Sequence, residues 1–436
     1  MGAGDWFGES LTTQISMQTR NFLPVLVLIL GTAALAADTP APLTSALLGR
    51  LIREAVSTHP SMAAAEARSQ AAASAIGAVR LWEDPQIGLG VTSARQRMRM
   101  DAGDIRLGID QMIPRHRLYG AEKRRAAAGL QVQQAAARQT ANELGLAVAE
   151  SALELALADE LIRIQNENLS WLKTIVGITQ ERSKNPDSSP ADTLKLESEL
   201  AVREQTLASL RRQRTQYAAT LNLLLGRPTD SPWSSLKLSE ENPEMRGVEV
   251  LREKLRNGNP RLEALRHEAE VAQAEADAAK EKRKPIFSVG VETNTYSGGD
   301  FRGAMFGVKM TLPWLHRSVY AADIARAESM SAAANDDLAA QERGLHSQLI
   351  ALLTEVENNQ RIVQAYTDEV LPKSEKAVET LQSAWVSSKA TLLDVLDSRR
   401  ALLDALQEKR RAVAAVQVAE QGLAALTGKL IQTHER

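Results

Sequence analysis

The sequence predicts a mainly α-helical chain with a small β component of the transmembrane type, arranged as a tandem repeat. Long alanine-rich runs, with leucines recurring every three or four residues, indicate helices. Two short segments instead alternate apolar and polar residues, which indicates strands. The same order of elements occurs twice along the chain, so the two strand segments belong to two copies of one unit.

The composition excludes several classes of protein. An apolar content of 44% with 24% charged residues excludes a disordered chain, and the formal net charge of -2 gives no sign of a nucleic-acid partner. The chain has no cysteine, which removes disulfides, thiolate metal sites and cysteine nucleophiles. It also carries no phosphate-binding loop, nucleophile elbow, zinc-protease motif or dinucleotide fingerprint. We therefore expect neither an enzyme nor a cofactor.

Residues 1–36 are predicted to be a secretory signal peptide. Arg20 supplies the basic start, an apolar run reaches Leu30, and small residues before Ala36 form a cleavage site. The run is shorter than the roughly 20 residues that a membrane-spanning helix needs. Met17 is an alternative start of translation, because the residues before it do not resemble a targeting element. No later segment has the length and hydropathy of such a helix, so any membrane residence would depend on strands.

Matching residues about 200 positions apart mark the repeat. The matches are His59-Pro60 with Asn259-Pro260, Pro85 with Pro285, Pro114 with Pro313, and Leu225-Gly226 with Thr427-Gly428. The mature chain therefore divides into a first unit at 37–226, a connector at 227–245, a second unit at 246–430 and a tail at 431–436. The connector is rich in Pro, Ser and Gly, which is typical of a segment packed outside helices.

Each unit has the same predicted order of helix, β-hairpin, very long helix, tight turn and returning helix. The predicted ranges are 43–82, 85–114, 115–183 and 190–225 in the first unit, and 246–284, 285–313, 317–387 and 392–430 in the second. A helix of about 70 residues would extend about 100 Å. Such a length is unusual in a globular domain.

Each hairpin is predicted to have one apolar and one polar face. In the first strand Ile87, Leu89 and Val91 alternate with glycine and glutamine, and the other three strands follow the same rule. The charged positions of the polar face are Arg106, Asp110, Glu292 and Lys309. Aromatic residues stand near the strand ends, at Trp82, Tyr119, Trp314 and Tyr320.

This alternation has two interpretations, a soluble sheet with one buried face or a transmembrane barrel with a polar lumen. The four charges favour a water-filled interior, and the aromatic residues are typical of a membrane interface. We therefore expect these charges to face a lumen. Four strands cannot close a barrel, and an open sheet edge is not tolerated in lipid, so several copies must share it. Two copies would give eight strands and three would give twelve, and strand counting leaves both open.

The signal peptide, the two tandem units and the motif "KATLLDVLDSRRALLDA" together resemble the TolC family of outer-membrane efflux proteins. The resemblance covers nearly the whole mature chain, from about 41 to 430. It implies a homotrimer, with a twelve-stranded β-barrel in the outer membrane that continues into a long α-helical barrel across the periplasm. It also implies a passive duct that works with a periplasmic adaptor (membrane fusion) protein and an inner-membrane RND pump.

The hairpin borders "LWEDPQIGLGV" and "IDQMIPRHRLYGAE", with the compact length, are similar to the heavy-metal branch of this family, the CzcC and CusC types. The CusC type carries a lipid on an N-terminal cysteine, which this chain lacks, so the similarity is greater to CzcC. Heavy-metal cations are therefore the expected cargo. Export of drugs and type I protein secretion use the same fold and remain alternatives, as does a different class, a soluble periplasmic coiled-coil adaptor or scaffold.

The turns between the long helices carry acidic residues. Asp192 follows "SP" at the start of one returning helix, and Asp394 and Asp397 share a face of the other. One interpretation is that these acids only cap helices, as the third position of a helix often does. In a trimeric tube each would instead form a ring of three carboxylates that selects cations. By resemblance, Asp394 and Asp397 match acidic entrance residues, Trp385 matches an aromatic constriction, and Lys389 lies beside the expected position of a basic partner.

Met98 and Met100 lie in the predicted extracellular loop of the first hairpin. Their thioethers suit soft metal ions such as Cu(I), but incidental methionines in a loop are the favoured interpretation.

Overall fold

The computed structural model describes residues 40–93, 103–182, 190–239, 247–296 and 301–432. The predicted signal peptide and the loop with Met98 and Met100 lie outside these ranges. The first unit contains β1 (Ala41–Leu43), α1 (Ser45–Thr58), α2 (Pro60–Ala78), β2 (Gln86–Ser93), β3 (Gly103–Met112), α3 (His116–Arg182) and α4 (Pro190–Leu224). The connector contributes β4 (Leu236–Leu238).

The second unit repeats this order. It contains α5 (Val248–Gly258), α6 (Pro260–Lys282), β5 (Phe287–Tyr296), β6 (Phe301–Met310), α7 (Arg317–Ala365), α8 (Leu371–Val386), α9 (Leu392–Leu426) and α10 (Lys429–Gln432). A short 3₁₀ turn, Pro313–His316, leads into α7.

The prediction of a single first helix in each unit is wrong, because the structure has two helices there. His59 and Asn259 are extended, with ψ of 131° and 118°, and each separates a short helix from a longer one. Both precede a proline, whose ring disfavours helical geometry at the preceding residue. Both side chains then cap the next helix. His59 Nδ1 accepts a hydrogen bond from the Ser61 backbone N–H, and Asn259 Oδ1 accepts hydrogen bonds from the backbone N–H groups of Arg261 and Leu262.

The predicted long helix at 317–387 is also interrupted. A five-residue π-helical turn, Tyr366–Val370, separates α7 from α8. Pro372 follows in the first turn of α8 and has no N–H to bond to a preceding carbonyl, which is a common cause of such an irregularity. The matching helix α3 continues without a break through 67 residues.

The strands form two sheets. β1 and β4 pair in parallel beside the middle of α3, and β2, β3, β5 and β6 form an antiparallel sheet in that order. The second sheet therefore joins the hairpins of both units through β3 and β5, leaving β2 and β6 at its two edges.

Within the described residues the helices pack around four buried apolar clusters, two of which position the site. The larger core joins α1, α3, α4, α9 and the small sheet, with Leu153, Leu221 and Leu236 at its centre. A second core lies where both helical hairpins turn, and its buried members are Leu172, Ile175, Leu196, Trp385, Leu392, Val395 and Leu396. We call this end of the molecule the helical tip.

Candidate functional site

One face of the four-stranded sheet is apolar and exposed. Ile87, Leu89 and Phe306 expose 74%, 75% and 81% of their surface, and the strand register aligns them with further apolar side chains on this face. The other exposed members are Val91, Ile105, Leu107, Ile109, Phe287, Val289, Val308 and Met310. A continuous exposed apolar face of this kind marks contact with another protein or with lipid.

The opposite face holds the four predicted charges in two pairs. Lys309 Nζ donates a hydrogen bond of 2.6 Å to Asp110 Oδ2, and Arg106 Nε lies 3.9 Å from Glu292 Oε1. Each pair joins β3 of the first hairpin to a strand of the second. The structure therefore brings all four predicted residues onto one face of one sheet.

Glycines surround these charges. The polar face carries Gly88, Gly90, Gly108, Gly290, Gly303 and Gly307. The sequence already contains this pattern, because all six glycines occupy the alternate strand positions that carry the polar side chains. Their relation to particular charged side chains depends on the cross-strand register, which the sequence does not give.

At the helical tip, Asp394 caps α9. Its Oδ2 accepts hydrogen bonds of 2.9 Å from the Thr391 backbone N–H and 2.6 Å from the Thr391 hydroxyl, while Thr391 Oγ1 accepts one of 3.2 Å from Asp394 N–H. Hydrogen bonds from the Thr391 hydroxyl and backbone hold the pKa of Asp394 below its ordinary value. The carboxylate is exposed and stays charged in mild acid. Capping is thus observed, and it leaves the carboxylate accessible to solvent.

Asp397 belongs to a charged network that links α9 to α4. Arg400 Nη1 donates to Asp397 Oδ1 at 3.0 Å, and Arg400 Nη2 donates to Glu199 Oε2 at 2.6 Å. Glu199 also accepts a hydrogen bond of 2.8 Å from Arg203. Burial raises the pKa of Glu199, but the hydrogen bonds from Arg400 and Arg203 outweigh it and hold the pKa below the ordinary value.

Arg399 provides a second link at the tip. Its Nε donates a hydrogen bond of 3.0 Å to Asn168 Oδ1, and its guanidinium lies 4.9 Å from the centre of the Trp171 ring. Burial lowers the pKa of Arg399. Sequence reasoning missed Glu199, Arg399 and Arg400, because their partners are separated in sequence by more than 200 residues. The two arginines that follow Asp397 closely in the sequence, Arg399 and Arg400, could have indicated an ion-pair network here.

The other predicted tip residues have different surroundings. Trp385 is 7% exposed and packs in the core of the tip, so its indole offers little surface to a channel. The gate proposal below therefore rests on the carboxylates. Lys389 is exposed in the turn before α9, and Asp192 Oδ1 lies 3.8 Å from Lys195 Nζ at the start of α4.

Within the described ranges, no three acidic, His or Cys side chains are placed to hold a metal ion. Among the same residues, none of the helices combines the length and apolar content needed to cross a membrane.

A sheet with an exposed apolar face and a charged opposite face, joined to very long paired helices, defines the class of outer-membrane channel proteins. The family model described as outer membrane efflux protein matches residues 51–227 and 251–429, so the chain belongs to this family. The predicted fold class is thereby confirmed. Comparison with curated protein sequences gave no match.

Several solved structures share the fold. The outer-membrane channel OprN matches with a TM-score of 0.76 at 16% identity, over 88% of this chain and 90% of that one. CusC matches with a TM-score of 0.75 at 17% identity, over 87% and 92%. The outer membrane protein VceC from Vibrio cholerae matches with a TM-score of 0.70 at 19% identity, over 88% and 96%.

Proposed function

We propose that the chain is the outer-membrane duct of a tripartite efflux system, acting as a homotrimer with a periplasmic adaptor and an inner-membrane RND pump. The observation that carries this proposal is the four-stranded sheet, with one exposed apolar face, one charged face and two edges, β2 and β6. If β6 pairs with β2 of the next copy, three chains close a twelve-stranded barrel with no open edge. The apolar face then meets lipid, and Arg106, Asp110, Glu292 and Lys309 face the lumen.

The long helices support the periplasmic part of the duct. At 1.5 Å per residue, α3 would extend about 100 Å. The helical tip lies at the far end of α3 from the strands, because β3 precedes that helix and the tip core contains residues near its end. A trimer would place six helical hairpins around one axis, two from each chain.

The tip carboxylates support a cation-selective entrance. In a trimer, Asp394 and Asp397 would form rings of three charges. Asp192 would supply a third ring from the helical hairpin of α3 and α4. Asp394 is suited to this role because its carboxylate is exposed at the start of α9, beside the turn that precedes this helix. Lys389, exposed in the same turn, would moderate the ring potential. Opening would then require the two helical hairpins to separate at the tip.

Heavy-metal cations are the cargo that this proposal favours, because rings of carboxylates concentrate cations. The similarity to OprN and VceC is comparable to that with CusC, so the fold does not separate the heavy-metal branch from others. Transport needs no resident metal site, because cargo must leave a duct as readily as it enters.

Purified protein in planar bilayers tests the duct. We expect a detergent-extracted trimer, ion conductance, and a shift away from cation selectivity in Asp394→Asn and Asp397→Asn. Asp192→Asn is the matched variant in the first hairpin, with a smaller expected shift because the carboxylate is only partly exposed. A protein that extracts without detergent and conducts no ions would favour the soluble adaptor instead.

Cargo needs a separate measurement in cells that carry the cognate pump and adaptor. Deletion of this chain should raise sensitivity to divalent metal salts and leave sensitivity to lipophilic drugs unchanged. The reverse pattern would make it a drug channel, and loss of a secreted protein from the medium would indicate type I secretion.

A further inference from the structure

One ion pair of the polar face lies across a glycine. In the strand register Gly290 of β5 stands between Asp110 of β3 and Gly307 of β6. A Cβ added at position 290 would clash with Asp110 Oδ1 and would lie 2.9 Å from Asp110 Cγ. Because position 290 has no side chain, the Asp110 carboxylate can lie flat across β5 and meet Lys309 on the far strand at 2.6 Å.

The second pair is arranged in a similar way. A Cβ added at Gly108 would be 3.7 Å from Glu292 Cγ, and one added at Gly90 would be 3.7 Å from Arg106 Cβ. Asp110, Glu292 and Arg106 thus each have a glycine as a cross-strand neighbour, whereas Lys309 lies opposite Ser288. The two positive and two negative charges of these pairs cancel.

We propose that Asp110 and Lys309, whose ion pair passes over Gly290, are specificity-determining residues of the pore. Their pairing lets this level of the lumen pass small ions of either sign. The inference rests on the proposed function, because the polar face must line water. The Lys309 and Asp110 side chains are 69% and 32% exposed, so both can interact with a passing ion. Removing either partner leaves one unpaired charge in each copy.

The first test is the reversal potential of purified protein in planar bilayers under a KCl gradient. Asp110→Asn should move the permeability ratio of potassium to chloride toward chloride, and Lys309→Gln should move it toward potassium. Each shift should be about fourfold, because one charge at about 10 Å in water changes the local concentrations of a cation and an anion about twofold in opposite directions. The double variant should return to the wild-type ratio.

Two glycine variants form a matched pair. Gly290→Ala should lower the single-channel conductance, because the displaced Asp110 carboxylate projects into the lumen and releases Lys309. Gly307→Ala adds the same methyl group directly opposite, where an added Cβ meets nothing within 4 Å, and should conduct like the wild type. Equal conductance in the two variants would contradict the role of Gly290.

A second measurement reads the local potential even if the helical tip limits the current. The chain has no cysteine, so Lys309→Cys places a single thiol on this face. A cationic methanethiosulfonate reagent should modify it about fourfold faster, relative to an anionic one, when Asp110 is present than in Lys309→Cys with Asp110→Asn. The inference would be overturned if the thiol reacts with neither reagent. It would also be overturned if Asp110→Asn and Lys309→Gln shift the reversal potential in the same direction or not at all. A wild-type protein that forms no pore would reject the proposed function instead.

Discussion

Replacing Arg400 by alanine should loosen the connection between the two helical hairpins at the tip. Arg400 lies on α9 and donates hydrogen bonds to Glu199 on α4, at 2.6 Å from Nη2 and 3.4 Å from Nε. The Glu199 side chain is 10% exposed. The truncation would remove these two bonds and leave Glu199 with the bond from Arg203, at 2.8 Å.

The geometry gives the magnitude of the effect. A hydrogen bond to a charged group contributes about 1.5–3 kcal/mol. The Arg400 side chain is 43% exposed, and solvent screening of a half-exposed group reduces the expected cost to about 1–2 kcal/mol. Such a loss corresponds to an opening constant that is about 5- to 30-fold larger.

Hydrogen exchange of backbone amides measures this opening locally. We expect faster exchange near the ends of α4 and α9 that meet at the tip, and unchanged exchange in the large core around Leu153. Lys373→Ala is the matched control, because its ion pair with Glu369 at 2.9 Å is 75% and 71% exposed and lies within one hairpin. If Arg400→Ala and Lys373→Ala give the same exchange rates at the tip, the link is not stabilising and the reasoning is wrong.

Acid should weaken the same link. The pKa of Glu199 in the folded chain lies below the ordinary 4.5, so the unfolded state takes up a proton first as the pH falls. The stabilisation is complete above the ordinary value and is lost as the pH decreases through the folded pKa. The protection of tip amides, meaning their exchange rate corrected for the intrinsic effect of pH, should therefore decrease below pH 4.5 in the wild type, and less so in Arg400→Ala.

Three further substitutions probe the backbone at helix ends. Ser388 has a φ of 61°, which costs a non-glycine residue about 1–2 kcal/mol, so Ser388→Gly should raise the thermal unfolding temperature slightly. Gly428 has a φ of 66°, and a Cβ there would lie 2.9 Å from the backbone carbon of Gly258; Gly428→Ala should destabilise by about 1–3 kcal/mol, measured by denaturant unfolding. Thr391→Ala removes the cap of α9 and should cost about 1 kcal/mol, with faster amide exchange in the first turn after Asp394.

The helices and hairpins were largely predictable because their signals are local. Periodic leucines and alternating strands place α3 and the two hairpins within a few residues of the structure. The breaks at His59 and Asn259 were predictable in principle, since each precedes a proline, but the strong helical pattern on both sides obscured them. The π-helical turn before Pro372 was missed for the same reason.

The candidate site divides in a similar way. Asp394 and Asp397 could be selected from their spacing, and the alternation of the strands identified the four charges. The burial of Trp385 and the network of Glu199, Arg399 and Arg400 could not be predicted, because they depend on how α3, α4, α8 and α9 pack at the tip.

The sequence by itself determined the tandem repeat, the mainly helical class and the two faces of each hairpin, because periodicity and alternation are properties of neighbouring residues. Only the tertiary structure decided that β3 pairs with β5, and in which register. That register places Asp110 across Gly290 and against Lys309, a contact between residues 199 positions apart. A shift of one residue would move every one of these side chains to the other face.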